Sequence, residues 1–236
     1  MAHPDGPRLK HCRRARILYT SESRRNIVSG RCGGPVPSDD SLFPHPELLV
    51  EQGLELRQIR LDDAEDLFAT VDANREYLRE WLPWLDGTNN VDDETSFIAS
   101  TLEEYGRGDG VLYAIRLEGN LIGTISLNWI DWANKGCGIG YWVSNDHSGQ
   151  GIATRCCIRV MEHCFDDLGM HRLVLEAATE NFPSRAIAER LGMRLEGITK
   201  DREWLYDHFV DAALYAITEP ESVSYTHQTL PTICSV

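Results

Sequence analysis

No apolar run in the 236-residue chain approaches the roughly 20 residues that a membrane-spanning helix requires. A membrane anchor is therefore not expected, and a composition 42% hydrophobic and 25% charged suits a soluble globular protein with one sizeable core. Paired cysteines are missing too. Cys12, Cys32, Cys137, Cys156, Cys157, Cys164 and Cys234 are odd in number and contain no Cys-x-x-Cys pair. Neither a metal site nor a disulfide framework is expected, and a reducing, cytoplasmic setting fits better. Residues 1–45 lack any sustained apolar period and are punctuated by Gly30, Gly33, Gly34, Pro35 and Pro37. Such a segment cannot bury enough surface to fold alone. It is read as a flexible basic N-terminal extension or a misplaced start, in preference to a transit peptide.

Positive charge is scarce in the body of the chain. Residues 54–219 carry 15 Lys and Arg against 30 Asp and Glu, whereas residues 1–53 net +2 and residues 220–236 net −1. An acidic domain repels nucleic acid and attracts basic partners, although acidic surface also serves solubility alone.

What the chain does contain is one dense loop, Asn145-Asp146-His147-Ser148-Gly149-Gln150-Gly151-Ile152-Ala153-Thr154. It follows an apolar strand ending at Val143 and opens a helical pattern that runs to Asp167. Glycines there let backbone N–H groups converge on an anion, and the helix dipole adds partial positive charge. A phosphorylated cofactor is the expected ligand. A nucleotide P-loop would need a lysine after Gly151, and a dinucleotide loop would need a third glycine where Thr154 stands.

Taken in order, Leu54, Leu56 and Ile59 begin the expected domain, and Asp62 or Asp63 caps a helix carrying Ala64, Leu67, Phe68 and Val71. A helical piece over 75–81 ends at Leu82-Pro83, and a third helix runs from Asp92 to Gly106. Strands over 111–117, 121–129 and 137–143 form an antiparallel meander, followed by the loop and its helix. Then come a strand over 172–177, a helix over 183–191, and strands over 193–199 and 209–217. Hairpins before the loop tell against a doubly wound parallel sheet. Residues 220–236 keep neither period and are read as an unstructured, extraneous tail.

With these elements in place, Ser148-Gly149-Gln150-Gly151-Ile152-Ala153 resembles the acetyl-CoA pyrophosphate loop of the GNAT N-acetyltransferases, whose usual form is Gln/Arg-x-x-Gly-x-Gly/Ala. Ser148 replaces the usual first residue. Asn181-Phe182-Pro183-Ser184, Leu191-Gly192-Met193 and Glu196-Gly197 resemble the RimJ/RimL branch, as do Leu54-Glu55-Leu56-Arg57, Trp81-Leu82-Pro83-Trp84 and Arg202-Glu203 with Asp207, Phe209 and Asp211. Members of that branch acetylate the N-terminal amines of ribosomal proteins. The resemblance implies an α/β (α+β) GNAT fold, a mixed, mostly antiparallel sheet splayed beside strand 137–143 to admit acetyl-CoA.

It also implies a site. Trp142, Val143, Ser148, Gly149, Gln150, Gly151, Ile152, Ala153, Thr154 and Asn181 would bind acetyl-CoA. Ser184 would protonate the departing thiolate, and Glu203 would take the amine proton. Each has a plainer reading: Ser184 as a first-turn serine bonding backbone, Glu203 as an exposed strand-end carboxylate, Asn181 as a helix cap. His147 and His208 compete for the base role. Cys157 and Cys164 share a helical stripe with Ala153, Val160 and Leu168 and read as core. Trp81, Trp84 and Trp129 read either as packing or as walls of an acceptor cleft. The implied function is acetyl transfer to the α-amine of a basic, ribosomal protein, by a monomer or homodimer. A polyamine or aminoglycoside acetyltransferase and a non-catalytic acetyl-CoA-binding module are the alternatives.

Overall fold

Alternation along the strand Val111–Leu117 decides where the layers go. Val111, Tyr113 and Ile115 face the larger apolar cluster, and Leu112 and Ala114 face the smaller. Successive side chains of a strand point to opposite faces, so this strand must be covered on both sides. The computed structural model describes residues 43 and 45–222.

The element order is β1 (Glu47–Glu51), β2 (Leu54–Gln58), α1 (Ala64–Ala73), α2 (Arg75–Arg79), α3 (Val91–Arg107), β3 (Val111–Leu117), β4 (Asn120–Asp131) and β5 (Gly136–Val143). It continues with α4 (Ile152–Glu162), β6 (Arg172–Ala178), α5 (Phe182–Arg190), β7 (Arg194–Leu205) and β8 (His208–Thr218). One eight-stranded sheet runs β1-β2-β3-β4-β5-β6-β8-β7. Every pairing is antiparallel except β5 with β6. Helices α1 to α3 bury Leu67, Val71, Leu78 and Ile98 with one face of the sheet. Helix α4 buries Cys156, Cys157, Val160 and Met161 with the other. The expected mixed, open α/β sheet is present.

The parallel contact is short. Residues pair from Gly136 with Arg172 to Ile139 with Leu175 and no further. Beyond it β5 stays on β4 up to Val143, while β6 stays on β8 up to Ala178. The two halves of the sheet therefore part, leaving the β6-facing edge of Gly140–Val143 free of ladder bonds.

Several boundaries differ from expectation for local reasons. Strand β1 pairs with β2 ahead of the expected start at Leu54; its five residues next to prolines are too few to show a period. Phe43, placed in the extension by the sequence, is buried and stacks on Tyr105 with ring centroids 4.7 Å apart. Helix α3 passes through Gly106 and is stopped by Gly108, whose φ of 73° accommodates the left-handed cap. Strand β7 continues past Thr199 to Leu205. Residues 219–222 form a helical turn in which Glu221 accepts from the Thr218 N–H and pairs with Arg194, so the unstructured tail expected from Pro220 is corrected there. The readings on residues 1–42 and 223–236 lie outside the described residues.

Candidate active site

Where β5 and β6 part, a cavity of about 710 Å³ opens. Its walls are Ile139, Gly140, Tyr141 and Trp142 of β5 and Leu175 to Ala178 of β6, with Trp81 to Trp84 and Phe97 on the opposite side. Trp81 and Trp84 thus serve as cleft walls, whereas Trp129 packs over Gly136 and Gly138. Asn181, Ser184 and Glu203 also line the cavity, so three of the residues singled out in the sequence meet Trp142 there. Val143 and residues 148–154 do not line it: Val143 ends β5, residues 148–151 belong to the turn that leads away from it, and residues 152–154 open α4.

That turn has the geometry to hold an anion. Gly149 and Gly151 have φ of 72° and 74°, which a residue with a Cβ adopts only under strain. Gly151 caps α4, and the first bond of the helix ladder is from the Arg155 N–H to the Gly151 carbonyl at 3.1 Å. The N–H groups of Ile152, Ala153 and Thr154 precede it and have no partner within the helix. No acidic residue occupies the first turn of α4, so the positive end of its dipole is uncompensated. From outside, Arg155 donates to the Gln150 carbonyl at 3.1 Å and pairs with Glu51 of β1 at 3.0 Å, fixing the loop. These residues fit a phosphorylated thioester: a helix start for the phosphates and an open strand edge for an amide-bearing arm.

Ser184 stands in the first turn of α5. Its N–H donates to Asn181 Oδ1 at 3.1 Å, so Asn181 is the helix cap. The Ser184 hydroxyl is 3.0 Å from the Tyr141 hydroxyl across the gap between the sheet halves. Burial pushes the Tyr141 phenol well above its ordinary range, against a smaller opposing effect of this hydrogen bond. The phenol therefore stays protonated and able to donate.

Glu203 is aimed into the cavity by an irregularity of β7. Thr199 pairs with Ala212 and Glu203 with Val210, so four steps along β7 face two along β8. The excess is held by Asp211, whose carboxylate takes Lys200 Nζ at 2.5 Å and the Asp201 N–H at 3.0 Å, while Asp201 adopts φ 47°. Bulges of this kind re-aim side chains beside active sites. Burial pushes the Glu203 carboxyl up to about 7; neighbouring Arg202 opposes this and Glu176 adds to it. A carboxylate near neutrality in a cavity is able to accept a proton from an amine.

The rival bases lie elsewhere. His147 Nδ1 is 2.8 Å from the Ser144 hydroxyl and His208 Nδ1 is 2.7 Å from Asp207, and neither lines the cavity. Cys157 and Cys164 are fully buried, and burial raises both thiols well above their ordinary range, as core positions would have it. Tyr141 and Glu176 also line the cavity and were not singled out as site residues in the sequence, and Arg202 stood there only as part of a family motif. Tyr141 hid in what reads as one apolar strand; Glu176, a lone carboxylate within Leu173-Val174-Leu175-Glu176-Ala177, was the legible signal.

Residues 53–194 match the family model described as an acetyltransferase (GNAT) domain. The ribosomal-protein-serine acetyltransferase of Escherichia coli is 30% identical over 167 residues, 71% of this chain and 93% of that one. Among solved structures, RimL, the ribosomal L7/L12 alpha-N-protein acetyltransferase in complex with coenzyme A, superposes with a TM-score of 0.71 at 27% identity, covering 73% of this chain and 97% of that one. The microcin C7 self-immunity acetyltransferase MccE, in complex with acetyl-CoA and AMP, gives 0.69 at 28% identity, over 72% and 94% of the two chains. Together with the parted sheet and the glycine turn before α4, the family match settles the assignment: the chain belongs to the GNAT acetyltransferase family and is an acetyl-CoA-dependent N-acetyltransferase.

Proposed function

We propose that this enzyme acetylates the N-terminal α-amine of a ribosomal protein by direct transfer, with Glu203 as general base and Ser184 as proton donor to the thiolate. The observation that carries this reading is Glu203, held near neutrality by burial in the cavity that also contains Ser184. An incoming α-ammonium gives its proton to Glu203. The neutral nitrogen attacks the thioester carbonyl, the C–S bond breaks and the sulfur takes the Ser184 proton, while the second proton leaving the nitrogen restores the Ser184 hydroxyl, so that the products are the amide, free coenzyme A and protonated Glu203. Residues 148–154 hold the phosphates and the edge of Gly140–Val143 the amide-bearing arm.

The match of acidities favours an α-amine. Such groups titrate near 7.7 to 8.0 and lysine near 10.4, so transfer to a base of about 7 costs about 1 kcal/mol for the former and about 5 kcal/mol for the latter. The ribosomal-protein-serine relative supports a protein acceptor. Incubation with acetyl-CoA and, in parallel, ribosomal-protein N-terminal peptides, spermidine and an aminoglycoside, read by mass spectrometry, tests it. Acetylated peptide α-amines are expected. Modification of a small amine with every peptide untouched would replace this reading with the small-molecule one, and no product from any amine would favour an idle binding module.

A further inference from the structure

Arg202 and Glu203 are adjacent on β7, in an irregular stretch where the strict alternation of strand side chains is broken, and the guanidinium acts on Glu203 through its charge without bonding to it. The Arg202 guanidinium reaches past β8 to Glu176 of β6, with Nη2 to Oε2 at 2.8 Å and Nε to Oε1 at 3.5 Å. The pair is largely shielded, the two side chains being 22% and 17% exposed. Glu176 is the first residue of β6 beyond the last rung shared with β5, so its carboxylate stands at the fork of the sheet. The described residues lining the cavity include four carboxylates, Asp93, Glu104, Glu176 and Glu203, and no arginine, lysine or histidine. Asp93 and Glu104 come from α3, and Tyr141 faces in from β5. The cation beside Glu203 is therefore Arg202, and what it bonds to decides whether Glu203 has an ionic partner.

We propose that Glu176 is a positioning residue for the transfer reaction: by binding Arg202 through both carboxylate oxygens it keeps the guanidinium off Glu203, leaving that carboxylate unpaired and free to take a proton. The inference rests on the role of Glu203 proposed above. An ion pair with Arg202 would stabilise the carboxylate form of Glu203 and weaken it as a base. The arrangement also has a negative side chain close to Glu203, which disfavours its ionisation further.

Glu176→Gln removes the charge that holds Arg202 while keeping the shape of the side chain. The readout is the titration of Glu203 in protein labelled with carbon-13 at the glutamate carboxyls, its resonance identified by its loss in Glu203→Gln. Wild type is expected to titrate near 7. In Glu176→Gln the midpoint should fall by at least about one pH unit as Arg202 turns to Glu203. In Glu176→Gln with Arg202→Gln it should return to or above the wild-type position, a rescue that a merely structural effect of Glu176 would not show. An unmoved midpoint in Glu176→Gln, a fall that removal of Arg202 does not reverse, or an ordinary carboxylate midpoint in the wild type would each overturn the proposal. Failure of the functional reading is separate: it is read from the activity of Glu203→Gln, and an active Glu203→Gln would end the base assignment whatever the titrations show.

Discussion

Glu203→Gln should make the enzyme nearly inactive and, at the same time, more stable, and the second effect has a pH dependence that can be worked out. The folded protein holds the Glu203 carboxyl at about 7 against an ordinary 4.5, so it binds that proton more tightly than the unfolded chain does. A raised pKa contributes stability that is present in full below 4.5 and is lost as pH rises through 7. By linkage the loss amounts to about 3 kcal/mol at pH 8 and under about 1 kcal/mol at pH 5. Glutamine never ionises and escapes the penalty. At about 2 to 4 °C per kcal/mol for a domain of this size, the variant should melt about 6 to 12 °C above wild type at pH 8 and within about 4 °C of it at pH 5. Melting curves of both proteins at the two pH values are the assay. Equal shifts at both pH values, or a variant less stable than wild type at pH 8, would refute the claim that burial raises this carboxyl. The kinetic companion is a kcat/KM profile whose acid limb near 7 is present in wild type and absent in Glu203→Gln, with turnover lowered by about 10² to 10⁴ and partly restored at high pH.

Other substitutions probe the remaining parts. Gly151→Glu puts a side chain at φ 74°, with its Cβ 3.1 Å from Arg155, and a negative charge into the anion cradle, so calorimetry should find acetyl-CoA binding lost; unchanged affinity would remove the loop from the site. Ser184→Ala should slow transfer by about 10² to 10⁴ without moving the acid limb of the pH profile. Tyr141→Phe, which deletes the partner of the Ser184 hydroxyl, should lower kcat by about tenfold at constant KM for acetyl-CoA, and a wild-type kcat would show that this bond orients nothing. Asn181→Ala should cost about 1 kcal/mol of stability through the lost cap on Ser184, measurable in denaturant, whereas Asn181→Asp should retain most of it.

The fold was legible where period and punctuation agreed. Strands β3 to β6 are apolar runs bounded by turn residues, and α4 with the helical segment His163–Asp167 that continues it carries an apolar stripe from Ile152 to Cys164, so their placement follows from spacing. The loop was legible through Gly149 and Gly151, whose positive φ values of 72° and 74° a residue with a Cβ adopts only under strain. What was not legible is what spacing does not encode. The Tyr141 to Ser184 contact joins β5 to α5 across the fork of the sheet, 43 residues apart. The Arg202 to Glu176 pair joins β7 to β6 past an intervening strand. Both are products of strand order, and strand order is decided by packing of the whole sheet.

The end of β7 shows the same limit more sharply. From Lys200 to Glu203 the sequence reads Lys-Asp-Arg-Glu, which has no apolar alternation, and a strand stopping at Thr199 is the natural reading. The chain nevertheless continues as strand because Asp211 on β8 bonds both Lys200 and the Asp201 N–H, absorbing the excess residues in a bulge. Without that excess, Asp201 would take the place opposite Val210 that Glu203 now holds. Glu203 would then lie further along the strand, away from Glu176 and from the fork. The charges that erase the strand signal in the sequence are thus the ones that bring a carboxylate into the cavity, and such local disagreement with pattern is what the building of a site would produce.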